Sequence, residues 1–497
     1  MDAHKQAVTR IAAAARQYFQ AGEPYRVFHG STNTTRPRRS TANIIDISAL
    51  NNVLKVDIKT RTALVEPNVP MDQLVASTLK HGLIPPVVME FPGITVGGGF
   101  AGTGGESSSF KHGFFDRSVS SVEMVLADGD VVHASPNGRY ADLFHGAAGA
   151  VGSLGLVTMA ELGLVEAKRY VRTTYHPRRS VGETIAFIRQ EAMNQARDYV
   201  DGILFSKDHG VVITGEMTDE EPPPDEVRTF SHSTDPWFYM HVCDRTRSAS
   251  SPVVEFIPLA EYLFRYDRGG FWVGKSAFEY FKFPFNSLTR RFLDDFLHTR
   301  MLYEALLSGR ESSRYVVQDL ALPYSRAEAF VDYTAKKFGI WPLWLCPILQ
   351  TPPPTFHPRV AEAEGPQFLN VGLWGFGPRD QAAFVECNRD LERRLRGDFG
   401  GMKWLYAHTY YTEDEFWEAY GGRGWYDELR KKYRATTLPS VYDKVKVDGE
   451  AYGRQEKEEW GAWALSFWPL GGMWGIRKAI QSGQYLPRCP PWRKEGE

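Results

Sequence analysis

Between Glu90 and Ser109 the chain reads Glu-Phe-Pro-Gly-Ile-Thr-Val-Gly-Gly-Gly-Phe-Ala-Gly-Thr-Gly-Gly-Glu-Ser-Ser-Ser, and few folds can absorb such a run. Six glycines, Gly97, Gly98, Gly99, Gly102, Gly104 and Gly105, stand among the hydroxyls of Thr95, Thr103 and Ser107 to Ser109. Glycine permits close backbone approach to a ligand and positive φ, so that successive N–H groups converge on one anion. The hydroxyls add donors for phosphate or ribose oxygens. A flexible linker would share this composition, but Ile94, Val96 and Phe100 interrupt the polarity as buried anchors do. The stretch from Thr95 to Ser107, including Ala101 and Glu106, is therefore read as a nucleotide cradle. Gly97, Gly99 and Gly102 satisfy G-x-G-x-x-G on paper, yet Gly104-Gly105 fall where an amphipathic helix should begin. Two glycines there cost a helix roughly 2 kcal/mol against alanine, which removes the Rossmann arrangement. No Gly-Lys-Ser/Thr closes the loop, so the Walker arrangement goes too.

The surrounding pattern is one of short strands. Residues 4–20 have helix-forming composition, and Tyr25 opens a short strand that runs into a second small-polar loop, His29-Gly30-Ser31-Thr32-Asn33-Thr34-Thr35. Its hydroxyls and the following Arg36, Arg38 and Arg39 suit a pyrophosphate contact; a solvated turn has the same composition. Strands are expected at 43–47, 54–57 and 63–66, then a helix opened by Pro70 and ended at His81-Gly82. Asp128-Gly129 predicts a hairpin between Val119–Ala127 and Val131–His133. A small-residue run, 149–156, precedes a further strand to Leu164.

At 497 residues the chain is too long for one core. Two or three domains are expected. Lys+Arg 58 against Asp+Glu 60 gives no basic surface for nucleic acid. Four scattered cysteines, without a C-x-x-C, give neither a disulfide framework nor a metal site, and favour an intracellular, reducing location. Aromatic residues, 13% of the chain, suit either core filling or a large apolar ligand site.

Several motifs together carry a family resemblance. Val65-Glu66-Pro67-Asn68-Val69, Thr95-Val96-Gly97-Gly98, Glu106-Ser107-Ser108-Ser109, Leu126-Ala127-Asp128-Gly129, Asp142-Leu143-Phe144 and Gly152-Ser153-Leu154-Gly155 resemble the PCMH-type flavin domain of the vanillyl-alcohol oxidase family. In the second half, Arg314 to Asp319, Trp341 to Pro347, Trp404-Leu405-Tyr406-Ala407, Glu415 to Glu418, Tyr426 to Arg430 and Pro439 to Lys444 resemble its Δ24-sterol reductase branch. The resemblance spans about residues 25–445. It implies an α+β fold, with a two-subdomain FAD-binding domain followed by an α+β cap and a returning segment. The division it implies is 1–167 for cofactor binding, 168–400 for the substrate, 401–445 as a segment returning to the cofactor, and 446–497 as a tail. It implies FAD held by His29 to Asn33, Thr95 to Ser107, Gly155 and Val157, with NADPH as reductant entering the same cleft. Thr32 stands where relatives carry an attachment histidine, so non-covalent FAD is expected. Three features depart from the branch: its amino-terminal membrane segment is missing, the first loop looks more like that of generic flavin oxidases, and the tail is an addition.

The implied reaction is demanding. An isolated trisubstituted alkene has no carbonyl to polarise, so it needs a proton at one carbon and hydride from flavin N5 at the other, in an apolar, water-poor pocket. Tyr410, His408, Lys444 and Glu90 are the candidate catalytic residues, and Asp319 either orients the acid or caps a helix. The segments 311–319 and 356–377, with Trp374 and Phe376, are candidate pocket walls. The tail from Trp460 to Ile476 is uncharged, Trp-rich and too broken by Pro469 to span a bilayer. It suits either an interfacial anchor, as at the endoplasmic reticulum, or packing on the protein itself or a partner subunit. An alcohol oxidase or a non-catalytic flavoprotein of the same fold remains a competing reading, and oligomeric state is left open.

Overall fold

The computed structural model describes residues 1–30, 43–308, 314–360, 364–447, 470–481 and 491–492. The expected loop residues Ser31, Thr32 and Asn33 and, in the tail, 448–469, 482–490 and 493–497 lie outside them.

The first helix, Asp2–Ala21, buries His4, Val8, Ile11, Ala12 and Ala15, one apolar stripe at helical spacing. It ends at Gly22, whose φ of 69° lets the cap N–H return to Phe19 and Tyr18 carbonyls. Behind it lies an antiparallel five-stranded sheet in the order Val53–Asp57, Thr62–Val65, Leu156–Gly163, Val119–Val125, Val131–Ala134. The Asp128-Gly129 turn joins its last two strands as the sequence predicts, with Gly129 at φ 83°. The Pro70 helix occupies Met71–Leu79.

The second sheet has eight strands, all antiparallel, in the order Val253–Pro258, Tyr170–Arg178, His209–Thr218, Tyr199–Ser206, Leu343–Leu349, Gln367–Phe376, Tyr315–Leu322, Met402–Lys403. Successive side chains on a strand point to opposite faces, and here each face feeds a different core. Val200, Leu204, Leu345, Val371, Leu373 and Leu320 pack under the helices Val181–Ala192, Tyr324–Lys337 and Gln381–Gly397. The alternate set, Tyr199, Ile203, Trp344, Cys346, Phe368 and Trp374, joins the core of the first domain. Polar residues sit on that inner face too: Asp201, Asn370 and Asp319.

One buried ion pair ties this inner face to the glycine stretch. Arg265 Nη2 lies 3.1 Å from Asp201 Oδ2 and donates to Ser107 Oγ at 3.4 Å, and the paired side chains are at most 1% exposed. Tyr266 Oη and Trp344 Nε1 donate to the same Asp201 oxygen at 2.7 and 3.1 Å. Val200 N–H adds a backbone bond to Ser107 O at 2.8 Å. The guanidinium carbon stands 4.0 Å from the Tyr262 ring centroid and 4.8 Å from that of Tyr266, faces that attract a cation. Removing one partner of a buried pair strands the other charge. Arg265→Met is therefore expected to destabilise the protein by about 3–5 kcal/mol in denaturant titration, whereas the double variant Arg265→Met/Asp201→Leu should recover part of that loss.

Candidate functional site

The glycine stretch folds into a helix of a turn and a half, Val96–Ala101, N-capped by Thr95, whose Oγ1 accepts the Gly98 N–H at 3.1 Å. None of its six glycines has positive φ; the left-handed residue is Thr103, at φ 53°. The expectation that these glycines serve positive φ is thus corrected. They are glycine because neighbours crowd them. A Cβ on Gly97 would stand 2.9 Å from Pro67 Cβ, one on Gly99 2.6 Å from Met89 Cε, one on Gly104 2.8 Å from Met89 Sδ, and one on Gly105 2.9 Å from Ile348 Cδ1. Many of the N–H groups are also spent internally, Gly97 on Pro67 O, Gly99 on Thr95 O and Gly102 on Gly98 O.

Bare backbone is left facing out. Gly98 is exposed, and Gly97, Ala101, Gly102, Gly104 and Gly105 are half-buried, while Val96, Phe100 and Thr103 are buried anchors. A Cβ on Gly102 would come within 2.8 Å of Gly98 O and 3.9 Å of Tyr406 Cβ. The loop at 149–152 runs alongside, since Gly149 and Val151 N–H groups donate to Phe100 and Ala101 carbonyls at 3.2 and 3.1 Å. Gly155, at φ 144°, packs on Val125 O, and Val157 is half-buried on its strand. His29 and Gly30 are exposed. A wall of polypeptide without side chains fits an extended dinucleotide that must approach backbone closely.

The candidate catalytic residues fall in different places. Tyr410 is turned outward: its ring meets Phe384 at 6.3 Å and packs with the outer core. His408 gives its carbonyl to Lys403 Nζ, which with Glu392 forms a fully buried pair that fixes the returning segment. Lys444 donates from Nζ to the carbonyls of Val151 and Gly152, 2.9 Å each, clamping the loop beside the glycine helix. Glu90 lies deep beside Glu106 and Arg265, with Oε1 unpartnered. Ser107 and Ser108 donate to Glu106.

Asp319 is no helix cap; it lies inside the strand Tyr315–Leu322. Its cross-strand partner is Gly372, flanked on the same face by Asn370 and Trp374. Because Gly372 has no side chain, the Trp374 ring lies across it, 2.6 Å from where a Cβ would stand. The ring thus lies on the face that carries Asp319, whose carboxyl accepts from Asn370 Nδ2 at 3.0 Å and from Tyr406 Oη. Burial pushes the Asp319 pKa up to about 6 against these hydrogen bonds. Aromatic rings continue from Trp374: Phe271 at 4.7 Å, Trp272 at 5.5 Å and Trp344 at 5.9 Å, with Phe91 joining Phe271 and Tyr303 at 5.5 and 5.6 Å. Phe376 is 39% exposed and takes no part.

Sequence reasoning passed over Tyr406 for Tyr410, and missed Arg265, Asp201 and Asn370 altogether. The available signal was a carboxylate inside an apolar strand run, Tyr199-Val200-Asp201-Gly202-Ile203 and Val316-Val317-Gln318-Asp319-Leu320.

Comparison with known proteins agrees with this geometry. A family described as "FAD binding domain" matches residues 3–135. The human Delta(24)-sterol reductase is 33% identical over 405 residues, covering 80% of this chain and 76% of its own. The chain belongs to the Δ24-sterol reductase family. The Arabidopsis thaliana member is 29% identical over 450 residues, 84% of this chain and 78% of its own. A decaprenylphosphoryl-beta-D-ribose oxidase of Mycolicibacterium smegmatis is 33% identical over 145 residues, 29% of this chain and 32% of its own. As a family member with this domain, the protein is an FAD-dependent oxidoreductase acting on a carbon–carbon double bond.

Burial first, and then the Glu106 carboxyl, push the Glu90 pKa well above its ordinary 4.5. The native state therefore keeps a proton that the unfolded chain releases, so this contribution to stability is full below about pH 4.5 and is lost as pH rises. Glu90→Gln should raise Tm more at about pH 8 than at about pH 5, measured by thermal melting.

Proposed function

We propose that the protein reduces an isolated carbon–carbon double bond in the side chain of a sterol or related terpenoid, with non-covalently bound FAD and with NADPH as the source of electrons. The observation that carries this reading is the inner face of the second sheet, where aromatic rings run up to a buried carboxyl beside the glycine helix. Such a face excludes water from an apolar substrate, and ring faces stabilise positive charge developing on an alkene carbon. Bound FAD supplies hydride transfer. The backbone of Thr95, Gly97 to Gly99, Ala101, Gly102, Gly104 and Gly105, with the 149–152 loop clamped by Lys444, would hold it. His29 and Gly30 with the adjoining Ser31, Thr32 and Asn33 would form the second contact. The names of the human and Arabidopsis relatives support the sterol, and the oxidase likeness extends over far less of the chain.

The tail supports a peripheral contact with an intracellular membrane, such as the endoplasmic reticulum. Its described helix, Leu470–Gln481, packs on Thr299–Ser308 through buried Ala479, and Gly472 abuts Tyr280 and Phe281. The opposite side shows Leu470, Met473, Ile476 and Ile480, between 37% and 57% exposed, a stripe at helical spacing. Arg477 and Lys478 flank Trp474. Among the described residues no helix is long and apolar enough to cross a membrane, so the stripe would lie in the interface.

Anaerobic NADPH should bleach the flavin, and a side-chain-unsaturated sterol should restore its colour while gaining two hydrogens by mass spectrometry. Bleaching by an alcohol but not by NADPH would replace this reading with an oxidase. Changing Leu470, Met473, Ile476 and Ile480 together to Ser should lower sedimentation with anionic vesicles about tenfold or more with turnover of detergent-solubilised substrate unchanged.

A further inference from the structure

We propose that Asp319 and Tyr406 form the proton-delivery couple of this enzyme, Asp319 supplying the proton and Tyr406 handing it to the alkene carbon. The inference rests on the reading of the site as a flavin-dependent alkene reductase and names the acid that reading requires.

Three observations converge on the pair. The first is placement. Asp319 is buried on the inner face of the second sheet, where Gly372 opposite it opens room for the Trp374 ring. The second is connection to the cofactor wall. Trp404 N–H donates to Asp319 O at 3.1 Å, and its indole Nε1 donates to Thr103 O at 3.0 Å, so two residues before Tyr406 the segment is tied both to the strand of Asp319 and to the glycine stretch. The Tyr406 ring springs from a Cβ beside Gly102 and its hydroxyl reaches the Asp319 carboxyl. The phenol therefore bridges the glycine helix and the acid.

The third is the surroundings of the carboxyl. Asn370 and Tyr406 donate to it, and the titratable groups that face it among the described residues are Tyr406 and Tyr303. No cation enters that set, so only the hydrogen bonds favour the charged form, and burial outweighs them. Burial accordingly holds Asp319 near neutrality, at about 6, and drives the Tyr406 phenol well above its ordinary 10.0, with the Asp319 charge adding to it. A phenol that weak cannot protonate an alkene unaided; a carboxylic acid behind it can.

The proton balance follows. The π electron pair of the alkene forms a C–H bond with the Tyr406 hydroxyl proton, while the Asp319 proton moves to the Tyr406 oxygen. Bound FAD, reduced by the nicotinamide, would supply the hydride and its two electrons to the adjoining carbon. Asp319 is left as a carboxylate accepting the Tyr406 O–H, and a solvent proton restores it.

The test uses the full-length, FAD-loaded enzyme and its apoprotein with Asp319→Asn and Tyr406→Phe. Both variants should bind FAD and be bleached by NADPH at the parental rate. Reoxidation by substrate should slow about 10²–10⁴-fold in each. In the parent, reoxidation should fall about tenfold per pH unit above the Asp319 pKa, and Asp319→Asn should lose that limb. Infrared difference spectra of the apoprotein across about pH 5 to about pH 8 should lose one carboxyl band in Asp319→Asn. In Tyr406→Phe that band should remain and titrate at higher pH, because a hydrogen bond favouring the charged form has gone. An Asp319→Asn enzyme that keeps the parental pH limb, or an unchanged infrared titration, overturns the proposal. Failure of NADPH to bleach the parent flavin would instead overturn the reductase reading itself.

Discussion

The contact between Arg265 and Asp201 is the point from which the rest of the architecture can be understood. A guanidinium and a carboxylate out of water cost several kcal/mol each unless tightly paired and hydrogen-bonded. Here Ser107, Tyr266 and Trp344 join them. Those partners come from the glycine stretch, the helical connection after residue 258 and the second sheet, so the pair can be satisfied only when all three have docked. The same docking turns one face of the second sheet toward the glycine helix. An interior that must be charged somewhere has been used to hold a surface that must be apolar.

That surface works through parity. Ile203, Trp344, Gly372 and Asp319 stand side by side across neighbouring strands, with Asp201 two residues before Ile203, because each occupies the same face of the pleat. Slipping one strand by a single residue would exchange this set for the leucines and valines of the outer core. The large hydrophobic outer face therefore fixes the register on which the chemistry of the inner face depends.

Much of this was legible in the chain. The strands of the first domain, the Asp128-Gly129 hairpin, the Pro70 helix and the family itself could be read from short motifs, because local turn chemistry and hydrophobic alternation specify them. The role of the glycines could not. Whether Gly99 is needed for φ or for room depends on Met89 and Phe115, which only the tertiary structure brings near. The choice between Tyr406 and Tyr410 was equally hidden. They lie one turn of sequence apart in a segment without regular structure, and only the anchoring of Trp404 to Thr103 shows which ring faces inward. Asp319 beside Trp374 needed knowledge of a strand pairing and of the glycine that makes space between them. Charged residues inside apolar strand runs were the clue that pattern reading left unused.

Lys444 sits almost at the end of the matched chain, yet its ammonium grips the carbonyls of Val151 and Gly152 beside the first-formed glycine helix. Val151 is held there at φ 45°, a conformation that a β-branched residue adopts only under restraint. During synthesis the amino-terminal sheet can assemble long before that lysine leaves the ribosome. The nascent domain must wait with this loop unfastened until nearly the last folded segment arrives, so the wall beside the glycine helix is completed late.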